Sequence, residues 1–569
     1  MLLLRLLRIK YVYHYIPQVT NPVLLTPRVD FILWVATTTF LCILGLVGCR
    51  PWRGAGNYLR VATLALIIVV SLGIGFEVLT NWFIVIYFVL FFHLTLGPSK
   101  GFDRRLATII GAFGFIISWL FIEIGSVLIL FSRMVKVDPL SLDLERQIVG
   151  VSIDLMYALQ GYSVQLLVLF GYLWIAIAVL LLSHRRKNFA LELFKNPSLG
   201  YAIFLSSVLL SALAIGVAYV GDQGLRGVDT KYYLDRLTSV GDVGSFFRLL
   251  PYDPRLIYVL LLRGLMMIGA SPNLAINTGP LVLMGLNAFA SYLLGTEITQ
   301  DPVAGGLVAM FSALGMQTCT SLYAGLYANW LSLFLATLAF TIYIRASTKN
   351  QNLLFLLAWV FAVAFFLAHP WSGLILTATL VCTSLLDTTI LRKRGASIFF
   401  TSILFAVPMV IVLVTLYFSG SYPDFFTWTM SLPISLRVQN TDTLLLNLAF
   451  TLNYMVGGFM SAPVFYLAGL VGFVGLYVSD KSSARLRILC TWSAATSIPL
   501  LFAEQWIEWR LIYLMPIQIL AGLGVYYVSA ILISSKTRAC SRLVPILICV
   551  AAAAMLNYLM RNVSFIPTF

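Results

Sequence analysis

Residues 201–238 read YAIFLSSVLLSALAIGVAYVGDQGLRGVDTKYYLDRLT, an uncharged segment followed at once by a charged one. The first 19 of these residues, 201–219, carry no Asp, Glu, Lys or Arg. A helix of about 20 apolar residues is long enough to cross the hydrocarbon core of a bilayer. The segment therefore predicts a transmembrane helix that delivers a charged loop to one membrane surface.

The composition of the whole chain extends this interpretation. Of 569 residues, 60% are hydrophobic and only 10% are charged, and the mean hydropathy is +0.95. A soluble domain has about 25% charged residues, so the composition excludes an ordinary water-soluble enzyme and a nucleic-acid-binding chain. The net charge of +15 is typical of cationic cytoplasmic loops between membrane spans. The sequence predicts an all-α, polytopic protein of the lipid bilayer, in the plasma membrane.

Apolar segments predict about 15–17 transmembrane helices. Candidate spans cover residues 31–49, 61–78, 82–97, 107–131, 164–182, 201–219, 276–294, 303–320, 327–345, 353–368, 372–387, 397–418, 458–478, 487–503, 510–531 and 543–560. Cationic loops near residues 99–105, 184–195, 345–352, 392–397, 479–487 and 535–542 are assigned to the cytoplasm. This assignment requires residues 256–270 to form a juxtamembrane helix on the outer face, because a span there would invert every later loop.

The spans fall into two blocks. Residues 1–190 predict an N-terminal helical block of about five spans with no evident role. Residues 200–560 hold the remaining spans and nearly all of the polar sequence assigned to the outer face, including a first outer loop at 220–275. Any catalytic module is therefore expected in the second block.

The first outer loop contains the densest set of acids beside the membrane. Residues 221–255 include five aspartates interleaved with five lysines or arginines. A partly desolvated carboxylate beside cations can act as a general base or hold a metal ion. The alternative is a solvated loop whose charges pair with each other.

The order of features in this region resembles the polyprenyl-phosphate-dependent glycosyltransferases of the type C membrane fold (GT-C). A span is followed by VDTKYYLDRL (228–237), then by PYDPRLIYVLLLRGL (251–265) as a surface helix. The first stretch is similar to the Asp-x-x-Tyr-(Tyr/His)-x-x-Arg sequence of the archaeal oligosaccharyltransferase and protein-mannosyltransferase-like branch. The resemblance covers about residues 200–530. The Trp-Trp-Asp motif and soluble C-terminal domain of true oligosaccharyltransferases are absent from the sequence, which favours transfer of a single sugar.

The resemblance implies roles for residues of the first outer loop. Asp229 corresponds to the essential acid, which in that family either takes the proton of the acceptor or helps to bind a divalent cation, Mg²⁺ or Mn²⁺. Tyr232 and Tyr233 correspond to the acceptor side of the site. Asp235 and Arg236 are candidates for substrate binding, or for a structural pair on the same short helix.

Two further outer-face segments supply candidate binding residues. His369 and Trp371, in FLAHPWSG, offer an imidazole and an indole face for a sugar or a phosphate. The alternative is that His369 caps a helix and Trp371 belongs to the aromatic belt. Arg510, with Glu508 before it, is expected to bind the phosphate of a lipid-linked donor, as a late-span Arg does in the similar enzymes. Arg510 could instead reach the interface and pair with Glu504 or Glu508.

These features predict an inverting glycosyltransferase that moves a sugar from a polyprenyl-phosphate donor to an acceptor hydroxyl on the extracytoplasmic face. The chain carries no Gly-rich phosphate loop for a nucleotide sugar, which agrees with a lipid-linked donor. Two other classes stay open: a transporter or flippase, and a non-catalytic scaffold of a cell-envelope complex. A transporter would show broken helices and an internal duplication, and no duplication is detectable in the sequence.

Overall fold

A computed structural model describes residues 196–219, 224–238, 255–349, 351–391, 405–407, 410, 414, 463–479, 484–501, 505–534 and 538–563. The predicted block 1–190, the spans before residue 201 and most of the span 397–418 lie outside these residues. The segments Leu181–Gln439, Thr451–Ala530 and Ala551–Phe569 form the larger of two compact units of the chain. All contacts described below lie within that unit.

The described residues are almost entirely helical, with no β-strand among them. The first nine helices are α1 (Pro197–Tyr219), α2 (Thr230–Thr238), α3 (Leu256–Met267), α4 (Pro272–Thr299), α5 (Pro302–Leu314), α6 (Met316–Ala324), α7 (Tyr327–Lys349), α8 (Asn352–Ala368) and α9 (Pro370–Leu391). They are followed by α10 (Pro463–Ser479), α11 (Ala484–Ser497), a 3₁₀ turn (Ile498–Leu501), α12 (Gln505–Leu514), α13 (Ile517–Ser534) and α14 (Arg538–Val563). The predicted all-α class is confirmed for the described residues.

Five helical segments in the described part of the chain are long and apolar enough to cross a membrane. They are Pro197–Gly216, Pro272–Thr299, Pro302–Ala324, Tyr327–Lys349 and Pro370–Asp387. Each overlaps a span predicted from the sequence. Several long apolar helices therefore support a membrane-embedded protein, while the total of about 15–17 spans stays a prediction.

Two of the predicted spans are broken helices. The predicted span 303–320 is interrupted because Gly315 adopts an extended backbone, with φ −94° and ψ −166°, between α5 and α6. The predicted span 510–531 is interrupted at Met515 and Pro516, between α12 and α13. Proline lacks the N–H that a continuing helix would use, so the helix restarts after it.

The two breaks contact each other through buried polar side chains. The Gln317 amide donates hydrogen bonds to the carbonyls of Tyr513, at 2.6 Å, and Met515, at 3.4 Å. Gln518 donates in turn to the side-chain oxygen of Gln317. The Thr318 hydroxyl donates to the carbonyl of Ser312 at 2.8 Å. Carbonyls near both breaks are therefore satisfied inside the protein, as a low-dielectric interior requires.

Glycines let several helices pack with their backbones almost in contact. A Cβ atom at Gly306 of α5 would lie 2.6 Å from the carbonyl oxygen of Gly200 in α1. A Cβ atom at Gly295 of α4 would lie 3.0 Å from the Cα of Gly305 in α5. In the pair α10 and α13, a Cβ atom at Gly524 would collide with the carbonyl oxygen of Ala468. Small residues at such crossings allow dispersion contacts that larger side chains would prevent.

Two carboxylate–guanidinium pairs lie near the C-terminal ends of α7 and α9. Arg345 Nε is 2.5 Å from Glu297 Oε2, and Arg487 pairs with the buried Asp387, which also accepts a hydrogen bond from Tyr343 at 2.8 Å. Arg345 lies 18 residues after the start of α7 at Tyr327. At a rise of 1.5 Å per residue, Arg345 therefore lies about 27 Å along α7 from Tyr327, close to the thickness of a bilayer core.

Gly524→Ala should lower the thermal stability of the detergent-solubilised protein, since the new methyl group would push α10 away from α13. An overpacked core position costs about 1–3 kcal/mol. Gly285→Ala in α4 is the matched control, because a Cβ atom there meets nothing within 4 Å. Its melting temperature should stay the same or rise, since alanine favours a helix over glycine. Equal melting temperatures for the two variants would contradict this packing.

Candidate functional site

The segment that carries Asp229 is held by backbone hydrogen bonds against the end of α6. The N–H of Val228 donates to the carbonyl of Tyr323 at 3.2 Å, and the N–H of Asp229 donates to the carbonyl of Ala324 at 3.0 Å. The next residue, Thr230, opens α2, and its hydroxyl donates to the carbonyl of Gly227 at 2.6 Å. The position of Asp229 is thus set by main-chain atoms of a buried helix.

Two glycines make this close backbone approach possible. Gly227 has φ +102° and Gly325 has φ +70°, in the left-handed region that glycine adopts without strain. A Cβ atom at Gly325 would lie 2.9 Å from the amide nitrogen of Asp229. A Cβ atom at Gly227 would lie 2.9 Å from the carbonyl oxygen of Leu322. Any side chain at either position would move the loop away from α6.

Three buried tyrosines pack α2 against its neighbours: Tyr233 of α2, Tyr258 of α3 and Tyr327 at the start of α7. The ring of Tyr233 packs edge-on against Tyr258, with centroids 4.9 Å apart, and is stacked on Tyr327 at 5.9 Å. The Tyr233 hydroxyl accepts a hydrogen bond from the Ala328 N–H at 3.2 Å and donates to the Gly325 carbonyl at 3.4 Å. Burial raises the pKa of Tyr233, so its hydroxyl stays protonated. Tyr233 was predicted to shape the acceptor side, and the structure places it in the packed base of the site.

Asp229 forms an ion pair with Arg255, the residue directly before α3. Arg255 Nη2 lies 3.0 Å from Asp229 Oδ2, and the side chains are 17% and 34% exposed, respectively. The guanidinium carbon also lies 4.2 Å from the ring centroid of Tyr232 and 5.2 Å from that of Tyr233. Burial by itself lowers the pKa of Arg255, but its neighbours, including the carboxylate of Asp229, raise it by more. The guanidinium is therefore a fixed positive charge, while the carboxylate remains accessible.

Hydrogen bonds between α6 and α12 place Arg510 at the same end of the bundle. Gln317 contacts the carbonyls of residues 513 and 515, and one turn later the hydroxyl of Ser321 lies 2.7 Å from that of Tyr513. These contacts hold α12 against α6, whose last residue, Ala324, accepts the N–H of Asp229 with its carbonyl. Arg510 lies one turn before Tyr513, within electrostatic range of Arg255, which repels its charge, and of Asp229, which attracts it.

His369 joins α8 to α9 and belongs to the same electrostatic cluster. Its Nδ1 accepts a hydrogen bond from the Ser372 N–H at 3.3 Å, so it caps the N-terminus of α9. Burial lowers the pKa of His369 well below its ordinary value, and the charges of Arg510 and Arg255 lower it further. A neutral imidazole whose Nδ1 accepts carries its proton on Nε2 and can donate one hydrogen bond. His369 therefore caps a helix, as one alternative from the sequence proposed. It also lies within electrostatic range of Arg510 and Arg255.

The other site residues predicted from the sequence lie on α2, α9 and α12. Tyr232 is half-buried, and Arg236 lies over its ring at 5.4 Å. Asp235 is exposed on α2 and directly precedes Arg236. Trp371 is half-buried at the start of α9. Glu508 belongs to α12, but its side chain lies outside the described atoms.

Arg255 is the member of the site that the sequence analysis missed. In the sequence it stands only as the last of the five cations in residues 221–255. One feature indicates a role other than helix capping: Arg255 occupies the N-cap of α3, but its side chain makes no capping hydrogen bond there. A cation at a helix N-terminus is unfavourable with respect to the helix dipole. Such a residue needs a separate reason for its position, and the carboxylate of Asp229 supplies one.

The donor set around Asp229 is cationic and aromatic. Among the described residues, no three His, Cys, Asp or Glu side chains come together as they would around a metal ion.

Comparison of the sequence with models of known protein families gives no match, and comparison with curated proteins gives no match either. The geometry defines a helical membrane protein with a mixed carboxylate–guanidinium–imidazole site at one end of its helices.

His369 should make the stability of the protein fall in mild acid. Below about pH 6.5 the unfolded chain binds a proton on this imidazole that the folded protein resists, so the free energy of unfolding decreases as the pH falls. The slope should approach about 1 kcal/mol per pH unit. His369→Asn removes the titration and keeps a capping side chain, so its apparent melting temperature should depend less on pH between about 7 and 5. Identical slopes in thermal unfolding of the two proteins would contradict the burial of a neutral His369.

Proposed function

We propose that this protein is a membrane glycosyltransferase that transfers a sugar from a polyprenyl-phosphate donor to an acceptor hydroxyl. The observation that carries the proposal is the partly exposed carboxylate of Asp229, which Arg255 holds at 3.0 Å, with Arg510 and His369 within electrostatic range of this pair. Three segments that are far apart in sequence supply these residues. A general base beside partly buried cations is the arrangement that transfer from a phosphate-linked sugar needs.

The transfer is a single displacement at the anomeric carbon. The acceptor oxygen attacks this carbon while its proton passes to the carboxylate of Asp229. The bond from the anomeric carbon to the phosphate oxygen breaks, and the polyprenyl phosphate leaves with the electron pair. Arg510 stabilises the negative charge that develops on the phosphate. One displacement inverts the anomeric configuration.

The place of the site in the fold suits a donor that is anchored in lipid. The N–H of Asp229 is hydrogen-bonded to the carbonyl of Ala324, shortly before α7. His369 directly precedes α9. Both α7 and α9 contain candidate membrane spans, so the cluster lies at the ends of these spans. A polyprenyl phosphate keeps its chain among the lipid tails and its phosphate at the membrane surface. We assign this surface to the extracytoplasmic face of the plasma membrane from the distribution of the cationic loops.

The broken helices favour one rival, a transporter or flippase. Two interrupted helices that meet in the interior are a feature of transporters, where unwound carbonyls bind the coupling ion. Here, however, the carbonyls of Ser312, Tyr513 and Met515 accept hydrogen bonds from the side chains of Thr318 and Gln317. Carbonyls occupied by protein amides and hydroxyls support a fixed scaffold for α6 and α12 rather than an ion path.

Asp229→Asn should abolish sugar transfer by the purified protein, assayed against labelled polyprenyl-phosphate sugars and a panel of hydroxyl acceptors. The amide keeps the shape of the side chain but cannot accept the proton, so kcat should fall at least about 100-fold. Asp235→Asn is the matched control, since Asp235 is exposed on α2, and it should retain most of the activity.

Melting temperatures would verify that both variants are folded. Equal transfer by the wild type and Asp229→Asn would remove Asp229 from the mechanism. Transfer by neither protein, together with substrate movement across vesicles that contain the wild type, would support the transporter. Absence of both activities would support the scaffold.

A further inference from the structure

The resemblance to GT-C enzymes leaves two roles for Asp229: a base, or a ligand of a divalent cation. Arg255 bears on this choice because it already holds one oxygen of the carboxylate. Its Nη2 lies 3.0 Å from Asp229 Oδ2, which is the distance of a charge-assisted hydrogen bond. The guanidinium therefore occupies the space on the Oδ2 side of the carboxylate, and a cation there would have to bind next to its positive charge.

The guanidinium is itself held in place by its surroundings. It lies over the faces of Tyr232 and Tyr233, at 4.2 Å and 5.2 Å from the ring centroids, within the range of cation–π attraction. Tyr233 is fully buried and is fixed by its contacts with Tyr258 and Tyr327. Moving Arg255 would therefore disturb the packed base of α2.

The charges around the carboxylate also disfavour a metal ion. Arg255 and Arg510 both act electrostatically on Asp229, and a divalent cation there would be repelled by two positive charges. His369, the imidazole of the cluster, uses Nδ1 as the cap of α9. The residues that the structure brings together around Asp229 thus do not fit Mg²⁺ or Mn²⁺.

We infer that Arg255 is a positioning residue that occupies the place a divalent cation would take beside Asp229, so that the site works without a metal ion. The guanidinium fixes Asp229 Oδ2, and the exposed part of the carboxylate faces the acceptor. Arg510 binds the phosphate of the donor. This inference rests on the proposed transferase function for its catalytic consequence, but its structural content can be measured without any activity.

The first test measures Mn²⁺ binding by electron paramagnetic resonance on the full-length protein after treatment with a chelator. Mn²⁺ should bind equally weakly to the wild type and to Asp229→Asn. Tighter binding by the wild type that is lost in Asp229→Asn would make Asp229 a metal ligand and overturn the inference. The result is decisive whether or not the protein transfers sugars, so a failure of the inference is distinct from a failure of the proposed function.

The second test distinguishes a role of Arg255 in positioning Asp229 from a role in binding the phosphate of the donor. Arg255→Gln should lower kcat roughly 100-fold, because a misplaced base loses its alignment, and leave KM for the donor nearly unchanged. Arg255→Lys, or added methylguanidinium, should restore part of kcat. Arg263→Gln is the matched control, since Arg263 lies on α3, two turns after Arg255, and donates a long hydrogen bond, 3.5 Å, to the carbonyl of Leu237.

Wild-type transfer should survive removal of metal ions by the chelator. Transfer that the chelator abolishes and Mn²⁺ restores would overturn the inference. A loss in Arg255→Gln that appears in KM for the donor would instead assign Arg255 to the phosphate and would also overturn it.

Discussion

The hydrogen bonds from the N–H groups of Val228 and Asp229 to the carbonyls of α6 are the contact on which the site depends. They tie the first polar loop to the end of a short helix whose residues 316–322 are all buried. α6 can present these carbonyls because it begins again after Gly315 and ends at Gly325. The same helix holds α12 through Gln317 and Ser321, so one buried segment sets the positions of both Asp229 and Arg510.

This arrangement explains why the interior contains polar side chains. Gln317, Thr318 and Ser321 are buried in a segment that is otherwise apolar enough to cross a membrane. Gln317 and Thr318 donate to main-chain carbonyls of neighbouring segments, and Ser321 shares a hydrogen bond with the hydroxyl of Tyr513. An unsatisfied polar group in such a setting would be costly. The polar network therefore stabilises one relative placement of α6 and α12. A site that combines charges from several segments requires such a fixed framework.

Sequence reasoning predicted the helices and much of the site because both leave local signals. Long apolar runs require a helix in lipid, and the spans at 201–219 and 327–345 follow from length and composition alone. Asp229 and Arg510 became candidates through the resemblance to the GT-C enzymes, and His369 through its place beside Trp371 between two predicted spans. The helix breaks at Gly315 and Pro516 were not predicted, since glycine and proline also occur within continuous spans. Arg255 was missed because its partner is decided by tertiary packing.

A structure with a bound donor analogue tests the central claim most directly. The measurement is electron cryomicroscopy of the purified protein with a polyprenyl phosphonate sugar, in which a carbon replaces the scissile oxygen. The account predicts the phosphonate against Arg510, with the anomeric carbon facing Asp229 and no metal density between Asp229 and Arg255. A phosphonate bound at the opposite ends of these helices, near Arg345 or Arg487, would contradict it.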